Sequence, residues 1–257
     1  MSNAASPGSA GEPQGLKLLG IRLANALGKP FGIDAFPRSF PNLYGSGTAD
    51  RPAVFEKIYR TNFWASDESR SGLGSESGFA AAYRQRLQHC LADIGARRLF
   101  DAPCGDLNWI LPLARDPAID YAGGDISASL IADTRRRYPD VDLRVFDVCV
   151  DAFPEADAWH CRDCLFHLPF ADIRRALENF TGSGIPFAFL TTHRALIHRN
   201  LDVAAGGFRY LDLERPPFSL PRPERYLKDY RLGLDFPRYV GLWKREAIAQ
   251  ALERSGA

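Results

Sequence analysis

The sequence predicts an α/β protein: a mostly parallel sheet with helices on both faces and an antiparallel strand at its edge. Three observations predict it. From Arg97 onward, short apolar segments alternate with helical ones, an order that calls for parallel strands joined by right-handed crossovers. Four of the apolar segments end in an acid or run into one, at Asp101, Asp125, Asp147 and Asp163. The first passes straight into a tight turn, Asp101-Ala102-Pro103-Cys104-Gly105-Asp106, with helical sequence after it. In sheets of this kind ligands sit beyond the C-terminal strand ends, where all four acids fall.

Each element follows from its local sequence. Residues 1–15 are small, polar and rich in Gly, Ser and Pro, which predicts a disordered leader. Residues 16–27 place Leu16, Leu18, Leu19, Ile21, Leu23 and Leu27 close to helical spacing, predicting a docking helix. Residues 29–52 mix Pro, Gly and aromatics, as an extended linker or a lid does. A helix is read at 53–60 with Phe55, Ile58 and Tyr59, then a loop at 62–75 of small hydroxyl residues and glycines around Trp64. Residues 79–94 form an amphipathic helix carrying Tyr83, Leu87, Cys90, Leu91 and Ile94 on one side. The N-terminal helices and lid thus occupy 16–95, ahead of a domain at 96–257.

Within that domain, strands are read at 97–101, 119–125, 141–147, 158–164 and 186–192, with an antiparallel pair at 225–231 and 239–244, seven in all. Crossover helices are read at 108–115, stopped near Pro117, and at 128–138, opened by Ser127 as N-cap and closed before Pro139. Further helices are read at 170–180 and 245–254. Residues 194–223 are too Pro-rich for a helix and predict a long ordered loop that carries substrate contacts.

Composition bounds the function. The 257 residues suffice for one large domain, and 46% hydrophobic with 25% charged residues is the make-up of an ordinary globular protein. A net charge of +1 gives no electrostatic case for nucleic acid. No apolar run approaches the roughly 20 residues of a membrane span, and no secretory signal is evident. Five cysteines without a framework spacing suggest a reducing, cytoplasmic setting.

The turn after the first strand defines the chemistry. Gly105 lets backbone approach a ligand closely, and helical sequence from about Leu107 offers N–H groups at the same point. Asp101 and Asp106 add negative charge, which suits a cationic ligand better than a bare phosphate. About twenty residues on, Asp125 stands where the acid ending the second strand of a βαβ unit takes both hydroxyls of a ribose.

The series Phe100-Asp101-Ala102-Pro103-Cys104-Gly105-Asp106, Gly124-Asp125-Ile126-Ser127, Phe146-Asp147-Val148 and Arg162-Asp163-Cys164-Leu165-Phe166-His167-Leu168 resembles the class I S-adenosyl-L-methionine (SAM)-dependent methyltransferases. The resemblance spans 96–193. The flanks 55–75 and 200–221 look like a bacterial subgroup of that superfamily. One departure is the glycine-rich loop, which keeps only Gly105 of the usual two or three glycines.

The resemblance implies a Rossmann-like sheet and SAM as cofactor. By it, Asp101 and Gly105 lie near the methionine part, and Pro103, Asp106 and Arg162 are further cofactor-binding residues. Asp125 takes the ribose, Ile126 packs on the adenine, and Asp147 and Val148 meet its edge. Trp64, Ser71, Gly72 and Ser75 belong to the covering lid, where the two serines bond a carboxylate.

Candidates for a base or other catalytic group are Asp163, His167 and His193, and candidates for substrate binding are Arg194, Asn200 and Arg209. A zinc reading of His160-Cys161-Arg162-Asp163-Cys164 is disfavoured. Strand alternation puts Cys161 and Cys164 on opposite faces, and no second Cys pair completes a site. These cysteines read better as small apolar core residues, so no metal is expected.

The expected function is methyl transfer to a small molecule or glycan, with oxygen preferred as acceptor because histidine and aspartate suit deprotonating a hydroxyl. Nitrogen transfer and a non-catalytic SAM-binding subunit remain as alternatives. A nicotinamide oxidoreductase is disfavoured because the loop lacks G-x-G-x-x-G. Oligomeric state is left open.

Overall fold

A computed structural model describes residues 50–194, 199–231 and 235–256. The leader at 1–15, the helix expected at 16–27 and nearly all of the linker lie outside the described residues.

The described chain begins with helix α1, Arg51–Thr61, followed by a single 3-10 turn at Leu73–Ser75 and helix α2, Ser77–Asp93. Strand β1, Arg98–Asp101, then opens the sheet. In order come helix α3, Leu111–Ala114, strand β2, Asp120–Asp125, helix α4, Ala128–Arg137, and strands β3, Asp142–Val145, and β4, Ala158–Cys161. A 3-10 turn at Leu165–His167 leads to helix α5, Phe170–Thr181, and strand β5, Phe187–His193. Strands β6, Arg225–Lys228, and β7, Arg238–Lys244, run into helix α6, Arg245–Gly256.

The seven strands lie in the order β3-β2-β1-β4-β5-β7-β6. β3, β2, β1, β4 and β5 are parallel to one another, whereas β7 runs antiparallel to both β5 and β6. This is the expected seven-stranded, mostly parallel sheet. Alternation of side chains along each strand divides the core into two layers. Phe100 and Trp159 face a layer closed by Ile173 and Phe180 of α5 and Ile248 of α6. Leu99 and Phe189 face the opposite layer, closed by Leu87 of α2, Leu113 of α3 and Ile131 of α4. The sequence order reverses across β1 and β4, so the C-terminal ends of β1, β2 and β4 open onto one crevice.

Most elements fall where the sequence places them. Ser127 caps α4 as expected, its Oγ accepting from the Leu130 N–H at 3.2 Å. The first crossover helix is the exception. Instead of 108–115 it is one turn, Leu111–Ala114, because Leu107 stands at φ +61°. The Asn108 amide, which would otherwise lie inside that helix, donates instead to Glu68 Oε1 at 2.8 Å and to the Ser75 carbonyl at 2.9 Å. The N–H groups expected at a helix N-terminus from about Leu107 are therefore replaced by a turn tied to the N-terminal segment. The Pro-rich loop after β5 is ordered where described, since Leu211, Leu213, Phe218 and Leu220 pack into the first core layer.

Candidate active site

A cavity of about 360 Å³ lies at the C-terminal ends of β1, β2 and β4, within the roughly 300–1,000 Å³ range of small-molecule and cofactor sites. Of the residues singled out from sequence, Trp64, Ser71, Gly72, Ser75, Pro103, Gly105, Asp106, Asp125, Ile126, Asp147, Val148, Arg162, Asp163 and His167 line it.

Its floor is the turn after β1. Gly105 stands at φ +58°, and a Cβ there would lie 2.3 Å from Ser71 Oγ. Gly105→Ala is therefore expected to cost about 1–3 kcal/mol from the left-handed backbone alone, with the displaced Ser71 adding to it. Urea denaturation checks this, and an unchanged midpoint would refute it. The Gly105 N–H donates to Asp125 Oδ2 at 3.2 Å, and the Ser127 N–H to Oδ1 at 3.0 Å. Burial lifts the Asp125 carboxyl to about 6, against those two hydrogen bonds.

Asp106 faces the other way. Its carboxylate accepts from Ser69 Oγ at 2.8 Å and the Arg70 N–H at 2.8 Å, while its own N–H donates to Ser71 Oγ at 3.2 Å. This latch fixes residues 69–71 over the turn. Gly72 follows at φ +91°, folded onto Trp64.

The roof is α1, held by side chains that sequence reasoning did not single out. Arg51 reaches Asp147 at 2.6 Å and Asp172 at 3.0 Å. Glu56 accepts from Ser127 Oγ at 2.8 Å and the Ser129 N–H at 3.2 Å, and Tyr59 donates to Asp133 at 2.6 Å. The Asp147 carboxylate also accepts the Cys149 N–H at 2.9 Å.

The far wall follows β4. Asp163, at φ +55°, accepts from Arg238 Nη1 at 2.8 Å, lies 3.5 Å from Arg162 Nη1, and donates its N–H to Thr191 Oγ1 at 2.9 Å. Burial alone would raise its carboxyl, but Arg162 and Arg238 hold it below the usual range. Arg162 forks onto Asp229 at 2.8 and 3.1 Å and donates to the Gly74 carbonyl at 2.8 Å. His167 Nδ1 lies 2.7 Å from the Gly207 carbonyl. A carbonyl only accepts, so Nδ1 carries the proton and Nε2 is the basic nitrogen. Burial pulls this imidazole down to about 4, and its ring rests 4.5 Å from that of Trp64.

Five sequence candidates do not line the cavity. Asp101 is 1% exposed and accepts from Tyr121 Oη at 2.7 Å; His160 Nδ1 lies 2.6 Å from it, and His160 Nε2 lies 2.8 Å from Tyr83 Oη. This buried chain of four groups ties β1, β2, β4 and α2 together beneath the floor. His193 Nδ1 accepts the Leu211 N–H at 3.2 Å, on the far side of Phe166. Asn200 clasps its own loop through the Asp212 and Pro216 carbonyls at 2.8 and 2.9 Å. Arg209 is buried over the Phe170 ring at 5.0 Å, and burial lowers its guanidinium to about 10. Arg194 lies over the Tyr226 ring at 4.6 Å, away from the cavity.

No protein-family model and no curated protein matches the chain. Solved structures do. Burkholderia thailandensis 1,6-didemethyltoxoflavin-N1-methyltransferase, with bound 1,6-didemethyltoxoflavin and S-adenosylhomocysteine, is similar at a TM-score of 0.53 and 16% identity, over 82% of this chain and 96% of that one. The methyltransferase domain of bacterial CtHen1-CN is similar at a TM-score of 0.50 and 16% identity, over 65% of this chain and 99% of that one. The chain thus has a Rossmann-like fold shared with methyltransferases. Among the described residues, no helix is long and apolar enough to cross a membrane.

Proposed function

We propose that this chain is a SAM-dependent methyltransferase that methylates a small molecule at oxygen. One observation carries the reading: the Gly105 N–H on the buried Asp125 carboxylate, at the mouth of a sheet of this order. The residues fit the cofactor. The Gly105 turn is a cradle that a Cβ would fill, Ile126, Val148 and Phe55 offer an apolar wall for a base, Asp125 is an acceptor for hydroxyls, and Asp163 supplies an anion to a ligand that carries a sulfonium and an ammonium. Bound there, SAM supplies its sulfonium methyl to an in-line displacement: the O–CH3 bond forms as the S–CH3 bond breaks, leaving a neutral thioether.

The chain's own groups do the rest. Asp125 accepts the ribose hydroxyls, and Asp163, kept ionised by its two arginines, steadies positive charge. His167 Nε2 takes the acceptor's proton. Residues 64–75 act as the lid, held down by the Asp106 latch and by Arg162 on the Gly74 carbonyl. Transfer to nitrogen is the second reading, favoured by the ionised Asp163, which would steady the positive charge a neutral amine gains as it is methylated.

Calorimetry tests the cofactor reading, with NADH as control. SAM is expected to bind and NADH not to, and Asp125→Ala to weaken SAM at least about tenfold, as loss of a hydrogen bond to a charged group does. The ribose hydroxyls need the ionised carboxylate. With that carboxyl at about 6, affinity should fall tenfold per pH unit below about 6 and level off above it. Asp125→Asn should abolish that slope. A flat profile between pH 5 and 7 in the unaltered protein would sink the assignment of Asp125. SAM binding without methyl loss to any acceptor would instead favour a non-catalytic subunit.

A further inference from the structure

A second cavity, of about 200 Å³, shares Phe166, Phe208 and Arg238 with the first. Its walls include the rings of Phe79, Phe166, Phe208, Tyr210 and Phe236. His193 lines it too, its ring 5.4 Å from that of Phe166 and 5.1 Å from that of Tyr210, with its Nδ1 taken up by the Leu211 N–H. These rings form a ladder. Phe166 and Phe208 meet edge to face at 5.5 Å, Phe208 and Tyr210 at 5.5 Å, and Tyr210 stacks on Phe236 at 4.0 Å and 15°. The ladder begins beside His167, whose ring lies 4.4 Å from that of Phe166.

The charged groups of this cavity are already matched. Asp229 holds Arg162 at 2.8 Å, Asp235 accepts the Arg231 N–H at 2.8 Å and its Nε at 3.0 Å, and Arg238 holds Asp163 at 2.8 Å. No charge on a ligand is therefore called for. What the cavity offers is aromatic faces and edges beside polar side chains, His193, Asp229, Tyr230, Asp235 and Arg238 among its lining.

Resting on the methyltransferase reading, we propose that this second cavity is the acceptor site and that the acceptor is a phenol: a single planar aromatic ring that presents its hydroxyl past Phe166 and Phe208, which line both cavities, into the first cavity toward His167. A ring gains offset and edge-to-face contacts among such walls that a saturated ring cannot make. Size agrees, since an apolar cavity of about 150 Å³ already holds benzene, and about 200 Å³ admits one substituted ring. The base points the same way. An imidazole held near 4 is a weak acceptor of protons. A phenolic hydroxyl of about 10 lies far nearer to its reach than an aliphatic one close to water's value of about 15.7. The glycan acceptor allowed by the sequence is thereby set aside.

Saturation-transfer NMR and calorimetry on the full chain with S-adenosylhomocysteine test this, using catechol, cyclohexanediol and methyl glucoside as probes. Catechol alone is expected to bind. Tyr210→Leu and, separately, Phe236→Leu should weaken it at least tenfold while the affinity for S-adenosylhomocysteine stays within twofold, which also shows that each variant is folded. Equal binding of cyclohexanediol would overturn the proposal, as would catechol binding unmoved by both variants. If S-adenosylhomocysteine binds and catechol does not, the phenol proposal falls and the methyltransferase reading stands. If neither binds, both fall.

Discussion

Arg162→Met is expected to destabilise the folded chain by about 3–5 kcal/mol, the cost of leaving one partner of a buried ion pair behind. For a chain of this size that is a fall in Tm of roughly 6–20 °C. Asp229 is 2% exposed, and its carboxylate is forked by Arg162 Nε and Nη2. After the substitution, among the described residues, Arg238 is the cation left beside it, at 3.1 Å, and Arg238 is already committed to Asp163 at 2.8 Å. The guanidinium also lies over the Trp109 ring at 4.7 Å and the Tyr83 ring at 5.3 Å, contacts that a planar cation makes and an ammonium does not reproduce. Arg162→Lys should therefore recover little. Adding Asp229→Leu to Arg162→Met should recover much of the loss, because the stranded carboxylate is then gone. Urea unfolding of the singles and the double closes the cycle. Costs that simply add would refute the coupling. The same substitution cuts the tether to the Gly74 carbonyl, so proteolysis within 64–75 should quicken.

That tether marks the limit of what was legible in the sequence. Strand ends, the Ser127 cap and the acid at Asp125 were legible because each is a local pattern: an apolar run, a hydroxyl three residues before a helical N–H, a carboxylate closing a strand. Asp101 was legible as the acid ending β1 and not as a buried group. Its partner His160 lies on β4, and only the pairing of Asp101 with His160 across the sheet brings them together. Asp229 and Arg238 were not singled out from the sequence, yet they complete the far wall because β7 inserts beside β5. Asn200 and Arg209 sit in a Pro-rich stretch that was expected to carry substrate contacts. Its apolar residues instead pack it into the core, turning Asn200 into a loop clasp. Helix 108–115 failed for a related reason, since the Asn108 side chain was taken up by residues 68–75 and Leu107 turned left-handed.

His167→Ala is expected to lower kcat for an oxygen acceptor about a hundredfold, the lower end of what a positioned base contributes. The lower end applies because burial holds the imidazole near 4, making it a weak base that is nonetheless fully neutral at pH 7. Two consequences separate this from a merely structural role. First, kcat at saturating SAM should show no inflection near the ordinary histidine value of about 6.5, since the folded imidazole does not titrate there. A step at that pH in the unaltered enzyme, absent from His167→Ala, would show a solvated histidine and refute the assignment. Second, the folded value lies below the unfolded one, so the unfolded chain takes up the proton first. The stability this group contributes is present above pH 6.5 and is lost as pH falls toward 4. His167→Gln should reduce that acid sensitivity while keeping a hydrogen-bond donor for the Gly207 carbonyl. The same pair of variants also decides the acceptor atom. A hydroxyl must shed a proton during transfer and should lose its rate with His167, whereas an amine already neutral needs no base until after transfer and should keep most of it. Equal, large losses for both acceptor types, with SAM affinity unchanged, would mean that His167 positions the acceptor through its ring contacts with Trp64 and Phe166 and does not remove the proton.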